Sequence, residues 1–150
     1  MSTIRGLGVV SAVAFLAFAG LIYAQSHRPI KTGSKPSESE HTKGSEGLEA
    51  WTLSWPLPDE FNHGDERFAF TLVLARDGHE IRRIEGEPII WKWIFWSGGK
   101  QVAYETGPLH FDMTCVLTDV ESGKTLATFD CYHELPPNPP KWVGALEKQQ

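Results

Sequence analysis

The sequence predicts an all-β fold, a small antiparallel sandwich or curled meander of about six to seven strands, after an N-terminal signal or anchor helix and a disordered linker. Three observations support this prediction. Apolar residues alternate with period two from residue 51 onward, a small or polar residue precedes a turn glycine at positions 78, 99 and 123, and helical periodicity is almost absent. The 150 residues leave room for one ordinary domain.

Residues 1–24 have the order of a secretory signal peptide. Arg5 precedes residues 7–24, which carry no charged side chain and end in the small residue Ala24. Cleavage after Ala24 would leave an exported protein, periplasmic or extracellular. The alternative is a retained anchor, because the 19 residues 6–24 approach the roughly 20 that span a bilayer. The only membrane contact expected is through residues 6–24, if they are not cleaved.

Residues 25–47 are predicted to be a disordered linker. Ile30 is their only large aliphatic residue, so they bury too little apolar surface to offset the entropy of ordering the backbone. The all-β domain is predicted over residues 48–146, and residues 147–150 are a tail.

The first strands of the domain are predicted from alternation and turn residues. Residues 68–75 alternate along the chain, Asp77-Gly78 is a hairpin signal, and residues 80–84 form the next short strand. In residues 89–96, apolar side chains occupy both odd and even positions, so neither face of this strand is polar throughout. This pattern suits a central strand covered on both faces, or a strand that presents one face to a ligand.

Three further strands complete an antiparallel meander. They are predicted over residues 101–106, 110–119 and 125–133. Within 110–119 the odd positions 111, 113, 115 and 117 are apolar, and positions 112, 114 and 118 are polar, as in a half-buried strand. Residues 141–148 alone favour a helical turn or two, which we expect to dock Trp142 on the sheet.

Residues 96–104 (WSGGKQVAY) and 117–126 (LTDVESGKTL) resemble a blade of the periplasmic type of WD40-like β-propeller. The first resembles the turn and following strand of a blade, and the second is similar to its closing hairpin. The resemblance covers about residues 91–130, and it implies one four-stranded meander with a partner-binding role. A closed propeller is excluded, because it needs at least four blades of about 40 residues.

Cys115 and Cys131 lie on consecutive predicted strands. The oxidising compartments outside the cytoplasm favour a disulfide between them. A three-residue loop at 121–123 would place Cys115 opposite Phe129, one pair away from Cys131. The two cysteines are therefore expected either to form a disulfide or to be small buried apolar groups.

The candidate binding residues are Trp91, Trp93, Trp96 and His110. Trp91 and Trp93 are expected to share one face of their strand with Phe95. An exposed aromatic row can stack on sugar rings or accept a peptide, whereas a buried row fills the core of a small domain. The pattern leaves both interpretations open.

Several functions are disfavoured by charge and motifs. The net charge of −5 argues against nucleic acid, whose phosphates require a basic surface. The sequence contains no HExxH, paired CxxC, GxSxG, Walker or GxGxxG motif, so we expect no cofactor, no metal site and no catalytic residue.

The leading functional hypothesis is an exported, non-enzymatic β module that binds a protein or glycan partner at the cell envelope. One alternative is a small envelope hydrolase or metal-dependent enzyme that uses His63, Asp65, Glu66 or His110. A second alternative is a structural or assembly subunit. The binding module requires an apolar patch or groove, and the enzyme requires at least three of its named residues to converge around a pocket. The assembly subunit would show concentration-dependent oligomerisation without a ligand.

Overall fold

The computed structural model describes residues 35–57, 66–109 and 112–149. Within these ranges the chain forms strands and one short helix: β1 (Ser37–Glu38), β2 (Thr42–Lys43), β3 (Leu48–Pro56), β4 (Arg67–Arg76), β5 (His79–Glu85), β6 (Ile89–Trp96), β7 (Gln101–Gly107), β8 (Thr114–Asp119), β9 (Thr125–Asp130) and α1 (Lys141–Leu146). The predicted all-β class is confirmed.

The strands form two antiparallel sheets. Sheet A has the order β1-β3-β4-β5, with β2 also paired to β3, and sheet B has the order β6-β7-β8-β9. Sheet B is a meander of sequential hairpins, joined by a turn at Ser97–Gly99 and by a turn at Gly123. Glycine suits these turns because Gly98, Gly99 and Gly123 have positive φ angles.

The main core lies between the two sheets. It buries apolar side chains from the facing sides of both sheets: Leu48, Ala50, Leu72, Leu74, Ile84, Ile90, Val102, Tyr104, Val116 and Val120. A second cluster lies on the other face of sheet B, where Ala103, Cys115 and Leu117 pack against α1. The domain therefore has three layers: sheet A, sheet B and the C-terminal helix.

Helix α1 explains two features of the sequence. The expectation that Trp142 docks on the sheet is confirmed, because its side chain is buried beside Ala103 and Cys115. The half-buried character predicted for 110–119 is wrong for β8: Val116 and Thr118 are buried as well as Cys115. Sheet A covers one face of β8, and the helix layer covers the other.

Strand β6 is not central. It forms an edge of sheet B, pairing with β7 alone among the described strands, although it is apolar on both parities. Its two faces contribute to different clusters: Ile90, Trp93 and Phe95 contact the inter-sheet core, and Ile94 and Trp96 contact the helix layer. Both faces of β6 are covered, and this explains why its apolar residues at odd and even positions suggested a central strand.

Part of the predicted linker pairs with sheet A. Ser37 and Glu38 lie opposite Ser54 and Leu53 of β3, and residues 42–43 pair farther along the same strand. Backbone pairing requires no apolar side chain, so composition does not reveal it. The predicted signal segment, residues 25–34 of the predicted linker, and His63, Asp65 and His110 lie outside the described residues.

Of the two alternatives for Cys115 and Cys131, the structure shows the disulfide, with Cα atoms 5.8 Å apart. Cys115 lies opposite Phe129, as predicted, but the connection is not the predicted three-residue loop, because the β8–β9 register shifts between Leu117 and Thr118. Cys131 follows the last residue of β9, and its amide donates a hydrogen bond to the Met113 carbonyl. The chain therefore continues alongside β8 for one more residue, which brings the two sulfur atoms together.

Candidate functional site

A groove of about 700 Å³ runs along β6, between the edge of sheet B and the short edge strands of sheet A. One wall consists of residues 90–95 of β6, and the other consists of Ser39, Glu40, Thr42 and Lys43 around β1 and β2. Thr52, Ala69 and Gln149 complete the lining. The groove thus combines aromatic side chains on one side with polar and charged side chains on the other.

The edge of β6 provides backbone hydrogen-bonding groups. Strand β7 occupies one side of β6, and no described strand pairs with the other side. In an antiparallel pair, alternate N–H and C=O groups point away from the partner strand. An edge of this kind is a template for an additional strand.

Trp91 lies in a β-bulge of this edge strand. The β6–β7 register shifts between Ile90 and Lys92, which pair with the adjacent residues Thr106 and Glu105. Trp91 is therefore the extra residue, and bulges commonly redirect a side chain at a sheet edge. Trp91 is 36% exposed, and its indole N–H donates a 3.1 Å hydrogen bond to the Gly107 carbonyl.

Two further aromatic side chains line the groove deeper in β6. The rings of Trp93 and Phe95 meet edge to face, with centroids 5.4 Å apart. Both are partly buried against the inter-sheet core, so their positions are fixed by packing. Phe68 contacts Trp91 in the same edge-to-face manner at 6.0 Å. The aromatic wall is therefore preorganised by contacts with the body of the domain.

Lys92 is bound by two carboxylates. Its ammonium lies 3.1 Å from Glu105, its cross-strand neighbour on β7, and 3.0 Å from Glu147, just after α1. Burial lowers the pKa of Lys92, but the hydrogen bonds and charges of Glu147 and Glu105 outweigh this effect and raise the pKa overall. The lysine charge is thus neutralised within the protein, and it does not repel a strand at the β6 edge.

Glu105 is the most buried member of this cluster, with 8% of its surface exposed. Burial raises the pKa of Glu105, and the neighbouring Glu147 carboxylate acts in the same direction, against the opposing effect of Lys92. Two carboxylates share one ammonium, so the more buried carboxylate holds its proton more readily. The cluster joins β6, β7 and the end of α1.

The structure separates the residues that were predicted to form a binding site. Trp91 and Trp93 both line the groove, but the bulge removes Trp91 from the regular face that Trp93 and Phe95 share. Trp96 packs on the opposite face of β6, toward α1. Glu66, from the alternative enzymatic set, is exposed and immediately precedes β4.

Two parts of the site were missed by sequence reasoning. The polar wall at residues 39–43 falls within the predicted linker, and the sequence pattern does not indicate the contacts of Lys92 with Glu105 and Glu147. The one sequence signal for the Lys92 contacts was the presence of this lysine within an otherwise apolar strand. Its partners become visible only once strand register is known.

No described helix is long and apolar enough to cross a membrane. Comparison of the chain with protein-family models, curated proteins and solved structures found no significant match.

Proposed function

We propose that this protein is an exported, non-enzymatic binding module that captures an extended segment of a partner protein along β6. The observation that carries the proposal is the groove at the open edge of β6, where Trp91 and Trp93 lie beside backbone groups with no strand partner among the described residues. Strand addition at a sheet edge uses both elements: main-chain hydrogen bonds supply affinity, and side-chain pockets supply specificity.

The contrast with β5, the far edge of sheet A, supports β6 as the binding edge. Strand β5 carries His79, Glu80, Arg82, Arg83 and Glu85 within seven residues. Charged side chains on an edge strand discourage pairing with other chains. Strand β6 carries Lys92 as its single charged residue, and that charge is bound by Glu105 and Glu147.

The composition of the groove favours an occupant with alternating character. Apolar side chains of an added strand would contact Trp91 and Trp93, which both line the groove, and the opposite wall offers Glu40 and Lys43 to polar groups. A segment with apolar residues at alternate positions and polar residues between them matches this arrangement.

Export is part of the same proposal. Residues 1–24 are proposed to direct export, and the residues that follow hold the domain away from the membrane or leader. The Cys115–Cys131 disulfide is consistent with an oxidising location. The resemblance of residues 91–130 to a propeller blade motif adds an expectation of partner binding.

A library of random linear peptides displayed on phage, selected on the full chain, tests the proposal. We expect peptides with alternating apolar residues, and we expect Trp91→Ala to weaken their binding at least about tenfold, as truncation of a central aromatic anchor does. Leu126→Ala is the matched control, because Leu126 is an exposed apolar residue on β9, outside the groove lining. Thermal denaturation checks that both variants fold.

The proposal is overturned if Trp91→Ala and Leu126→Ala weaken the selected peptides equally, or if selection yields no peptide. A glycan array run in parallel addresses the other partner class. Binding of a neutral glycan that is lost in Trp91→Ala, with no peptide bound, would assign the aromatic wall to sugar stacking instead.

A further inference from the structure

Three possible metal ligands meet on the helix side of sheet B. The two sulfur atoms of Cys115 and Cys131 and a carboxylate oxygen of Glu147 all lie within 4.8 Å of one another. Cys115 is fully buried, and the other two residues are partly buried. Among the described residues, this is the one cluster of histidine, cysteine and acidic side chains with such mutual distances.

Three separate elements hold these ligands in place. Cys115 lies within β8, and Cys131 is held beside that strand by its amide hydrogen bond to Met113. Glu147 follows α1, and its amide donates a hydrogen bond to the Val143 carbonyl. Lys92 contacts the Glu147 carboxylate at 3.0 Å, which orients it as an outer-shell partner orients a metal ligand.

We propose that the reduced form of the protein binds a zinc ion through Cys115, Cys131 and Glu147. Two thiolates and one carboxylate are ligand types that zinc prefers, and zinc binds them at about 2.3 Å and 2.0–2.2 Å in tetrahedral geometry. Ligand atoms of such a site lie roughly 3–4 Å apart, so the three groups need only small movements once the disulfide is open. A water molecule takes the fourth position.

The chemical steps balance with a thiol or a phosphine as reductant. A phosphine breaks the disulfide and is oxidised to the phosphine oxide with the oxygen of one water molecule, whose two protons move to the cysteine sulfur atoms. Two thiol molecules reduce the disulfide by exchange: the Cys115–Cys131 bond breaks, a disulfide forms between the two reductant molecules, and their two protons move to the cysteines. Zinc then displaces the two cysteine protons, which pass to water, and both sulfur atoms bind as thiolates. The same pair of cysteines would therefore alternate between a disulfide and a metal site.

Cobalt substitution tests this site on the full chain. The protein is reduced with a phosphine, desalted without oxygen and titrated with Co²⁺, then with Zn²⁺. We expect a thiolate-to-cobalt charge-transfer band that saturates at one metal ion per chain and disappears when Zn²⁺ displaces cobalt. The unreduced protein should give no band, because disulfide sulfur atoms are not thiolates.

Two carboxylate variants separate Glu147 from nonspecific charge. Glu147→Gln should weaken metal binding at least about tenfold, since changes around a metal site commonly cost 10–100-fold in affinity. Glu134→Gln removes an equal charge at an exposed position three residues after Cys131 in the sequence, and it should leave the affinity unchanged. Neither change removes a cysteine, so the result does not depend on the folding of a cysteine variant.

Two results would overturn the proposal. Absence of the charge-transfer band in the reduced wild-type protein would show that Glu147 serves only as a counterion of Lys92. Equal affinity of Glu147→Gln and wild type would exclude the carboxylate as a ligand. Neither result depends on peptide binding at the β6 groove, so this proposal and the proposed function fail separately.

Discussion

The ammonium of Lys92 lies 3.0 Å from a carboxylate oxygen of Glu147. Lys92 belongs to the strand that lines the groove, and Glu147 follows the helix that covers the outer face of sheet B. This ion pair therefore links the candidate binding edge to the C-terminal layer. Glu105 on β7 contacts the same ammonium at 3.1 Å and makes the link a cluster of three charges.

Replacement of Lys92 by methionine should destabilise the fold. The change leaves Glu105 largely buried with no cation beside it, and an unsatisfied buried polar group costs about 1–3 kcal/mol. Urea denaturation at neutral pH measures the loss. Lys100→Met is the matched control, because Lys100 is exposed at the turn before β7, and its effect should stay within about 0.5 kcal/mol.

A second substitution identifies the cause of that loss. Adding Glu105→Gln to Lys92→Met removes the buried, unpaired carboxylate charge, so it should recover part of the lost free energy of unfolding. A double variant that is no more stable than Lys92→Met would contradict the account of this cluster.

The stability of the wild-type protein should depend on pH through Glu105. Because burial raises the pKa of Glu105 above its ordinary value of 4.5, the folded state holds this proton more tightly than the unfolded state. The resulting stabilisation is complete below pH 4.5 and is lost as the pH rises through the folded-state pKa. As the pH rises through this range, wild type loses this stabilisation and the Glu105→Gln variant does not. The variant should therefore become more stable relative to wild type.

Urea denaturation of both proteins across this pH range provides the measurement. A difference between wild type and Glu105→Gln that stays constant with pH, or that changes in the opposite sense, would contradict the raised pKa.

Removal of the disulfide should lower the free energy of unfolding by about 3 kcal/mol. The two cysteines are separated by 16 residues, and a loop of roughly this length gives a stabilisation of that size in the chain-entropy model. The double variant Cys115→Ala/Cys131→Ala and the chemically reduced wild-type protein should lose similar amounts. A loss below about 1 kcal/mol in both would show that the bridge contributes little to folding.

The sequence predicted the strands of sheet B because their signals are local. Alternation and glycine turns are read from neighbouring residues. The pairing of Cys115 with Phe129 was predicted correctly, but the register shift between Leu117 and Thr118 was not. The position of β6 at a sheet edge was not predictable in this way. Strand order depends on contacts between distant residues, and β6 is covered on both faces like a central strand.

The candidate site was predictable only in part for the same reason. Trp91 and Trp93 were singled out by their residue type, but the bulge that turns Trp91 aside depends on its pairing with β7. Ser39 and Lys43 lie in a segment too polar to suggest order, yet β1 and β2 pair with β3 through the backbone. Composition carries no information about such pairing.

Amide hydrogen exchange of β6 tests the central claim most directly. With a phage-selected peptide bound to the full chain, the outward-facing amides of β6 should become protected, because an added strand accepts their hydrogen bonds. Amides of β5 and β9, the other long edges, should exchange as in the unbound protein. Protection confined to β5 or β9, with β6 unchanged, would contradict strand addition at the groove.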